Sequence, residues 1–231
     1  MPARSRRRAI AFPAFGALAA AWLLAAGASA APPAPIPADV ALHLGPSVRL
    51  GDAPDFSIVD RAGASIGVSI FVAPWSRFAI GLGYEHTGLG NERGGAGDLD
   101  RVEVSRAMDS LIASLRMHLY EGEIVRLSAE VGPGLAWQSA SAAGLVPLST
   151  GSYAGVRCSA TSGPDLLLRA GLGAEVLLGS GVSFVAGVTL DNARLGSDAV
   201  GECIPGAGTV TLFGARAGFA YRFDDLGRYL R

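Results

Sequence analysis

The sequence predicts an all-β fold, an eight-stranded antiparallel up-and-down transmembrane β-barrel with short periplasmic turns and longer outer loops. Half of the residues are hydrophobic and only 17% are charged. Beyond the first thirty residues, however, no run of eighteen apolar residues remains to form a membrane helix. Apolar and polar residues alternate in eight segments instead, and the connectors between these segments are alternately long and short.

The N-terminal segment predicts export. Four of the first eight residues are arginine, and an apolar run follows from Ala9 through Ala28. Ala28-Ser29-Ala30 then offers the small residues that signal peptidase needs. Residues 1–30 are therefore expected to be a cleaved signal peptide. A retained membrane anchor is the alternative, because the apolar run is nearly long enough to span a bilayer.

The remaining chain divides into three parts. Residues 31–38 read APPAPIPA, a Pro-rich periplasmic linker that cannot join a sheet. Residues 39–224 are expected to form the barrel, and residues 225–231 a short C-terminal tail. Once the four signal arginines are removed, the formal charge falls from −1 to −5. With no basic patch, this charge argues against a nucleic-acid partner.

The eight β segments are each long enough to cross a bilayer at a tilt. They cover residues 39–51, 63–73, 77–90, 101–119, 124–139, 165–178, 182–194 and 209–223.

Two segments depart from clean alternation. In 101–119 the apolar parity shifts between Val104 and Leu111, which predicts a bulge or an irregular rim near Asp109. In 165–178 a run of three leucines suits a helix as well as a strand, and the glycines at 171 and 173 favour the strand.

The two faces of the segments differ in composition. Phe78, Ile80, Leu82 and Tyr84 share one face, whereas the opposite face is mostly Gly, Ser and Ala with isolated charges. A soluble barrel would direct the apolar face inward and place many charges outward. The small and sparsely charged face suits a narrow lumen, which favours a membrane barrel with the apolar face toward lipid.

Aromatic residues cluster beside the short turns, as expected of a girdle at the periplasmic interface. This cluster comprises Trp75, Phe78, Tyr120, Phe184, Phe219, Tyr221 and Phe223, while Trp137 and Phe213 lie near the outer rim.

Charged residues on the polar faces predict a network inside the lumen. Glu85, Arg116, Glu130 and Arg216 fall at comparable heights on four segments, and Arg126, Arg169, Glu175 and Arg222 extend the network. Charges in a narrow interior must pair to offset the cost of desolvation. Because an eight-stranded barrel has little room beyond its side chains, we expect a closed interior and no continuous pore.

The two cysteines predict a disulfide. Cys158 and Cys203 lie in long connectors that the topology places on the same outer side, and an exported chain can be oxidised. The bond would restrict the third and fourth outer loops. Two unpaired thiols are the alternative.

With these residues in place, the chain resembles the OmpA/OmpX type of small outer-membrane β-barrel over about residues 39–223. Its last segment also resembles the assembly signal of such barrels, with Arg216, Gly218, Tyr221 and Phe223 at the polar, glycine and two hydrophobic positions. The resemblance implies insertion by the barrel-assembly machinery into the lipid of a bacterial outer membrane, as a monomer. Family members usually end at the last aromatic, whereas this chain continues as DDLGRYLR.

No pattern predicts a catalytic, cofactor or metal site. The only histidines are His43, His86 and His118, and the His-x-Ser-Asn of barrel deacylases has no counterpart. The predicted function is a non-enzymatic outer-membrane protein with a structural or surface-interaction role in the cell envelope, acting through outer loops such as 140–164. The alternatives are a lipid A-modifying barrel enzyme and an exported soluble barrel that binds a ligand.

Overall fold

The computed structural model describes residues 36–51, 56–94, 102–147, 151–196, 200 and 204–224. The predicted signal peptide, most of the linker and the C-terminal tail lie outside these residues and stay predictions. The described residues contain no helix that is long and apolar enough to cross a membrane.

The described chain forms ten antiparallel strands. They are β1 (Ala38–Leu50), β2 (Phe56–Asp60), β3 (Ala62–Val72), β4 (Phe78–Gly94), β5 (Val102–Glu121), β6 (Val125–Pro147), β7 (Tyr153–Thr161), β8 (Asp165–Gly179), β9 (Val182–Arg194) and β10 (Thr209–Phe223).

Eight of these strands close into a barrel. The order is β1-β3-β4-β5-β6-β8-β9-β10, and β10 pairs with β1 to complete the ring. In the described residues β2 pairs with β4 only and β7 with β6 only. The predicted eight-stranded up-and-down barrel is thus confirmed, with two additional strands at its outer end.

The strand register fixes the stagger of the barrel. Following paired residues once around from Ala38 leads to Val48, ten residues further along the same strand. Stagger and strand number together set the tilt and the width of a barrel, and eight strands leave an interior that side chains fill. The intermediate pairs run through Val72, Ile80, Leu115, Val131, Ala170, Leu190 and Phe213.

The short connectors meet at one end of the barrel. They cover residues 73–77, 122–124 and 180–181. In the shortest, Ser180 and Gly181 have φ values of 53° and 78°, which suits a tight hairpin. Ala38 pairs with both Val72 and Phe223, so the first and last barrel residues lie at this end too.

The outward face of the barrel is apolar. Leu42 is 65% exposed and Leu44 is 64% exposed, while the inward side chains between such residues are small or polar. A soluble protein does not surround itself with a continuous belt of this kind. The chain is therefore a transmembrane barrel of the bacterial outer-membrane type, and the alternative of a soluble exported barrel is wrong.

The aromatic residues near the short turns point outward. The rings of Phe184 and Phe219 meet edge to face at 5.7 Å, and those of Tyr221 and Phe223 at 4.8 Å. At the opposite end of the belt Phe213 is exposed and Trp137 is half-buried. This arrangement is that of interfacial girdles.

In the described chain, three of the predicted outer loops are strand in part. β2 lies within 52–62, β4 extends to Gly94, and β6 and β7 occupy parts of 140–164. Segment 165–178 is indeed a strand, β8. The bulge or irregular rim predicted near Asp109 is not in β5 but in its neighbour β4, opposite Ala107 and Ser105.

β5 keeps its register past Asp109, and the irregularity lies in β4, between Gly88 and Asn91. The parity shift has another cause. Met108 points into the apolar outer part of the barrel interior, and Val104 points the same way into an apolar cluster farther out. The hydrophobic face of β5 therefore reverses beyond the lipid belt without any change in backbone alternation.

Candidate functional site

A buried cluster of ion pairs centres on Glu85, which β4 directs into the lumen. Its Oε2 lies 2.7 Å from Arg216 Nη2, 2.9 Å from Arg169 Nη1 and 3.5 Å from His43 Nε2. Arg169 also donates two hydrogen bonds to Asp191, at 2.6 and 2.7 Å. Two carboxylates thus face two guanidinium groups, which offsets the desolvation of all four.

The four residues predicted for the network fall into two groups. Glu85 and Arg216 belong to this central cluster, whereas Arg116 and Glu130 form a separate pair at 3.5 Å. The Ser114 hydroxyl donates to Glu130 at 2.8 Å. The Arg116 guanidinium also lies 3.5 Å from the centre of an aromatic ring, that of Phe71.

Two further pairs lie nearer the short turns. Arg222 donates to Asp39 at 2.7 and 3.1 Å, and Arg126 lies 3.8 Å from Glu175. Asp39, Asp191 and His43 were missing from the sequence-based network, although their inward parity could have indicated them.

The ion-paired charges cancel along this part of the lumen, within the described residues. The carboxylates are Asp39, Glu85, Glu130, Glu175 and Asp191, and the guanidiniums belong to Arg116, Arg126, Arg169, Arg216 and Arg222. Eight of these side chains, all except Asp191 and Arg222, line an internal cavity of about 110 Å³ together with His118.

An apolar plug closes the outer end of the lumen. Its side chains are at most 2% exposed, and two of them, Leu195 and Ala207, come from the connector between β9 and β10. Backbone hydrogen bonds from Leu195 to Gly208 and from Gly208 to Gly196 hold this connector in place, at 2.9 and 2.8 Å. The plug comprises Leu89, Met108, Ile112, Ala136, Leu167, Ala193, Leu195, Ala207, Val210 and Leu212.

A buried charged triad lies one step beyond the plug. Glu92 bridges Arg49 and Arg106, with Arg106 Nε 2.8 Å from Glu92 Oε2, and all three side chains are 1% exposed. The Gln138 side-chain oxygen accepts a hydrogen bond from the Ala207 backbone at 3.2 Å. Arg49 also donates to the Ala207 carbonyl oxygen at 3.5 Å, so hydrogen bonds tie the outer connector to β1 and β6.

The strands continue outward as a five-stranded sheet. β2 pairs with β4, β4 with β5, β5 with β6 and β6 with β7 in this region. We call it the extramembrane sheet. Its inner face covers a second apolar cluster formed by Val102, Val104, Ala140, Ala142, Val200 and Ile204.

Cys158 on β7 packs against this second cluster. Cys203 lies outside the described residues, between Val200 and Ile204, which both belong to the cluster. The Cys158–Cys203 disulfide stays a prediction.

A polar cluster interrupts the outward face where the apolar belt ends. Tyr84 Oη donates to Asp109 Oδ1 at 2.6 Å, and His86 Nδ1 lies 2.9 Å from the same oxygen. Trp137 is the cross-strand partner of Asp109. In the described chain His86 forms its hydrogen bond with this carboxylate and not with a Ser, Thr or Cys side chain.

The predicted assembly strand is β10. Arg216 reaches the central ion-pair cluster, Gly218 faces the seam with β1, and the Tyr221 and Phe223 rings meet edge to face at the periplasmic end. A Cβ at Gly218 would collide with the Leu42 carbonyl oxygen. Recognition of this strand by the barrel-assembly machinery stays a prediction.

The Gly218→Ala variant should weaken the β1–β10 seam. Backbone atoms meet the added methyl, so the strands must separate, at a cost of about 1–3 kcal/mol. Urea unfolding of the refolded barrel in lipid vesicles measures this. Gly155→Ala is the matched control, since its added Cβ meets no atom within 4 Å. Equal losses in both variants would argue against a role for close approach at Gly218.

No protein-family model matches the chain. No curated protein matches it either. Its fold is similar to Ail, the attachment invasion locus protein of Yersinia pestis, solved in complex with the heparin analogue sucrose octasulfate (14% identity, 80% of this chain, 99% of that chain, TM-score 0.44). The fold is also similar to Neisserial surface protein A (17% identity, 81% of this chain, 96% of that chain, TM-score 0.44). A third similar structure is the outer membrane protease OmpT from Escherichia coli (13% identity, 85% of this chain, 99% of that chain, TM-score 0.41).

Proposed function

We propose that the protein is a non-enzymatic outer-membrane barrel that takes part in surface interactions through its extramembrane sheet. The observation that carries the proposal is the continuation of β4, β5 and β6 beyond the apolar belt, where β2 and β7 extend the sheet on both sides. The plug and the paired lumen charges favour a scaffold over a channel.

The two outer strands give the sheet a means of binding. In the described chain β2 pairs with β4 and β7 pairs with β6, which places these two strands at the edges of the sheet. An extended polypeptide can add to such an edge as a further strand. The buried cluster under the sheet stiffens it, which lowers the entropy lost on binding.

Replacing residues 142–161 by a short turn, with Cys203→Ser, tests the proposal. The variant removes β7 and the outer end of β6 but keeps the part of β6 that belongs to the barrel. We expect heat-modifiable migration in the outer-membrane fraction to persist, while retention of cells on a panel of immobilised extracellular proteins is lost.

The full-length Cys158→Ser/Cys203→Ser variant is the matched control and should keep this retention. Retention that survives removal of 142–161 would contradict the proposal. The non-enzymatic part has its own test, the mass spectrum of lipid A from cells with and without the protein. A new lipid A species that depends on His86 would overturn it.

A further inference from the structure

The strand register locates the polar cluster of Tyr84, His86, Asp109 and Trp137 relative to the bilayer. On the outward face of β4, β5 and β6, the row Tyr84–Leu111–Leu135 is the last one dominated by apolar groups. The next row is His86–Asp109–Trp137. These side chains face the lipid at the level where the hydrocarbon ends and head groups begin.

At this level the Asp109 carboxylate offers a further hydrogen-bond acceptor. Tyr84 and His86 both bond to Oδ1, so Oδ2 has no hydrogen-bond partner among the described residues, and the side chain is 29% exposed. When His86 donates through Nδ1, its Nε2 becomes a second outward acceptor. The cluster therefore presents acceptors to a group rich in hydroxyl or amine donors.

A shallow groove lies directly beyond this row on the same outward face. It has a volume of about 310 Å³. The row Ala107–Ser139–Thr161 is followed by Ser105–Ser141–Ser159, and these six side chains line the groove. Their small size leaves room for a ring, and their hydroxyls can both donate and accept.

We propose that the cluster of Tyr84, His86, Asp109 and Trp137 binds the sugar head group of a glycolipid in the outer leaflet. Sugar hydroxyls can donate to Asp109 Oδ2 and His86 Nε2, and the indole of Trp137 offers an apolar surface to the C–H face of a pyranose. The acyl chains of the same lipid continue along the apolar belt, past Leu111 and Leu135.

Native mass spectrometry of the purified full-length barrel tests this with two probes, deep-rough lipopolysaccharide and phosphatidylglycerol, at equal concentrations. The wild type should retain lipopolysaccharide in preference to the phospholipid. Asp109→Asn and Trp137→Leu should each lower lipopolysaccharide retention roughly tenfold, as expected for loss of a charged hydrogen bond or an aromatic platform.

Two matched controls separate this site from general effects. Phe213→Leu removes an outward aromatic on β10 at the outer rim, and Glu121→Gln removes a carboxylate at the opposite end of β5. Both should retain lipopolysaccharide as the wild type does, and heat-modifiable migration should show that every variant is folded. Equal retention of both probes by the wild type, or an equal loss in Phe213→Leu, would overturn the proposal.

Discussion

The Glu85→Gln variant is expected to lose about 3–5 kcal/mol of unfolding free energy, because it leaves two buried guanidiniums without their shared carboxylate. Oε2 lies within 3 Å of nitrogens of both Arg169 and Arg216, and all three side chains are at most 12% exposed. Asp191 still pairs with Arg169 in the variant, but the remaining contact of Arg216 is with Asp191 at 3.9 Å. Urea unfolding in lipid vesicles measures the loss.

Two comparisons make this result specific. The pair of Glu103 with Arg93 is largely exposed, so Glu103→Gln should leave the urea midpoint unchanged. Adding Arg216→Met to Glu85→Gln should recover part of the loss, because the second change removes a charge that the first has stranded. Strict additivity of the two substitutions would contradict a direct ion pair.

The Leu82→Arg variant should block insertion, since it places a charge on the lipid face near the middle of the belt. Leu82 is 54% exposed, and its cross-strand partners are Ile70 and Ala113. An arginine near the bilayer midplane costs about 2–4 kcal/mol in a membrane barrel. The measurement is the fraction of chain that shows heat-modifiable migration in the outer-membrane fraction.

Ser141→Arg is the control for this substitution. Ser141 also points outward, on β6, but it belongs to the extramembrane sheet and is exposed beyond the belt. The added charge there meets water, so insertion should match the wild type. Efficient insertion of Leu82→Arg would mean that this position does not face hydrocarbon.

The barrel strands could be predicted from sequence because lipid on one side and a crowded lumen on the other impose a strict alternation. Phe78, Ile80 and Leu82 read as one face from their spacing alone, and the structure places them there. The same parity brought Glu85 and Arg216 onto inward faces. Parity could not identify the residues with which Glu85 and Arg216 pair. A contact across the lumen depends on the stagger of ten residues around the barrel, which no single strand encodes.

The extramembrane parts escaped prediction for a different physical reason. β7 reads YAGVRCSAT, with no clear alternation, and it exists because β6 continues beside it. In β5, the shift from Leu111 to Met108 looks like a bulge in sequence. It is in fact a change of surroundings, since the outward side meets water beyond the belt and the inward side meets the plug. The contact of His86 with Asp109 likewise depends on a register that only pairing reveals.

The plug has a consequence for the permeability of the cell. Under the proposed scaffold function, a cylinder with paired internal charges and an apolar plug at its outer end would add protein to the envelope without adding a conduit for nutrients, antibiotics or ions. The number of copies of the protein in the membrane could then rise without making the membrane more permeable. A cell can cover its surface with such a protein and leave the barrier function of its outer membrane unchanged.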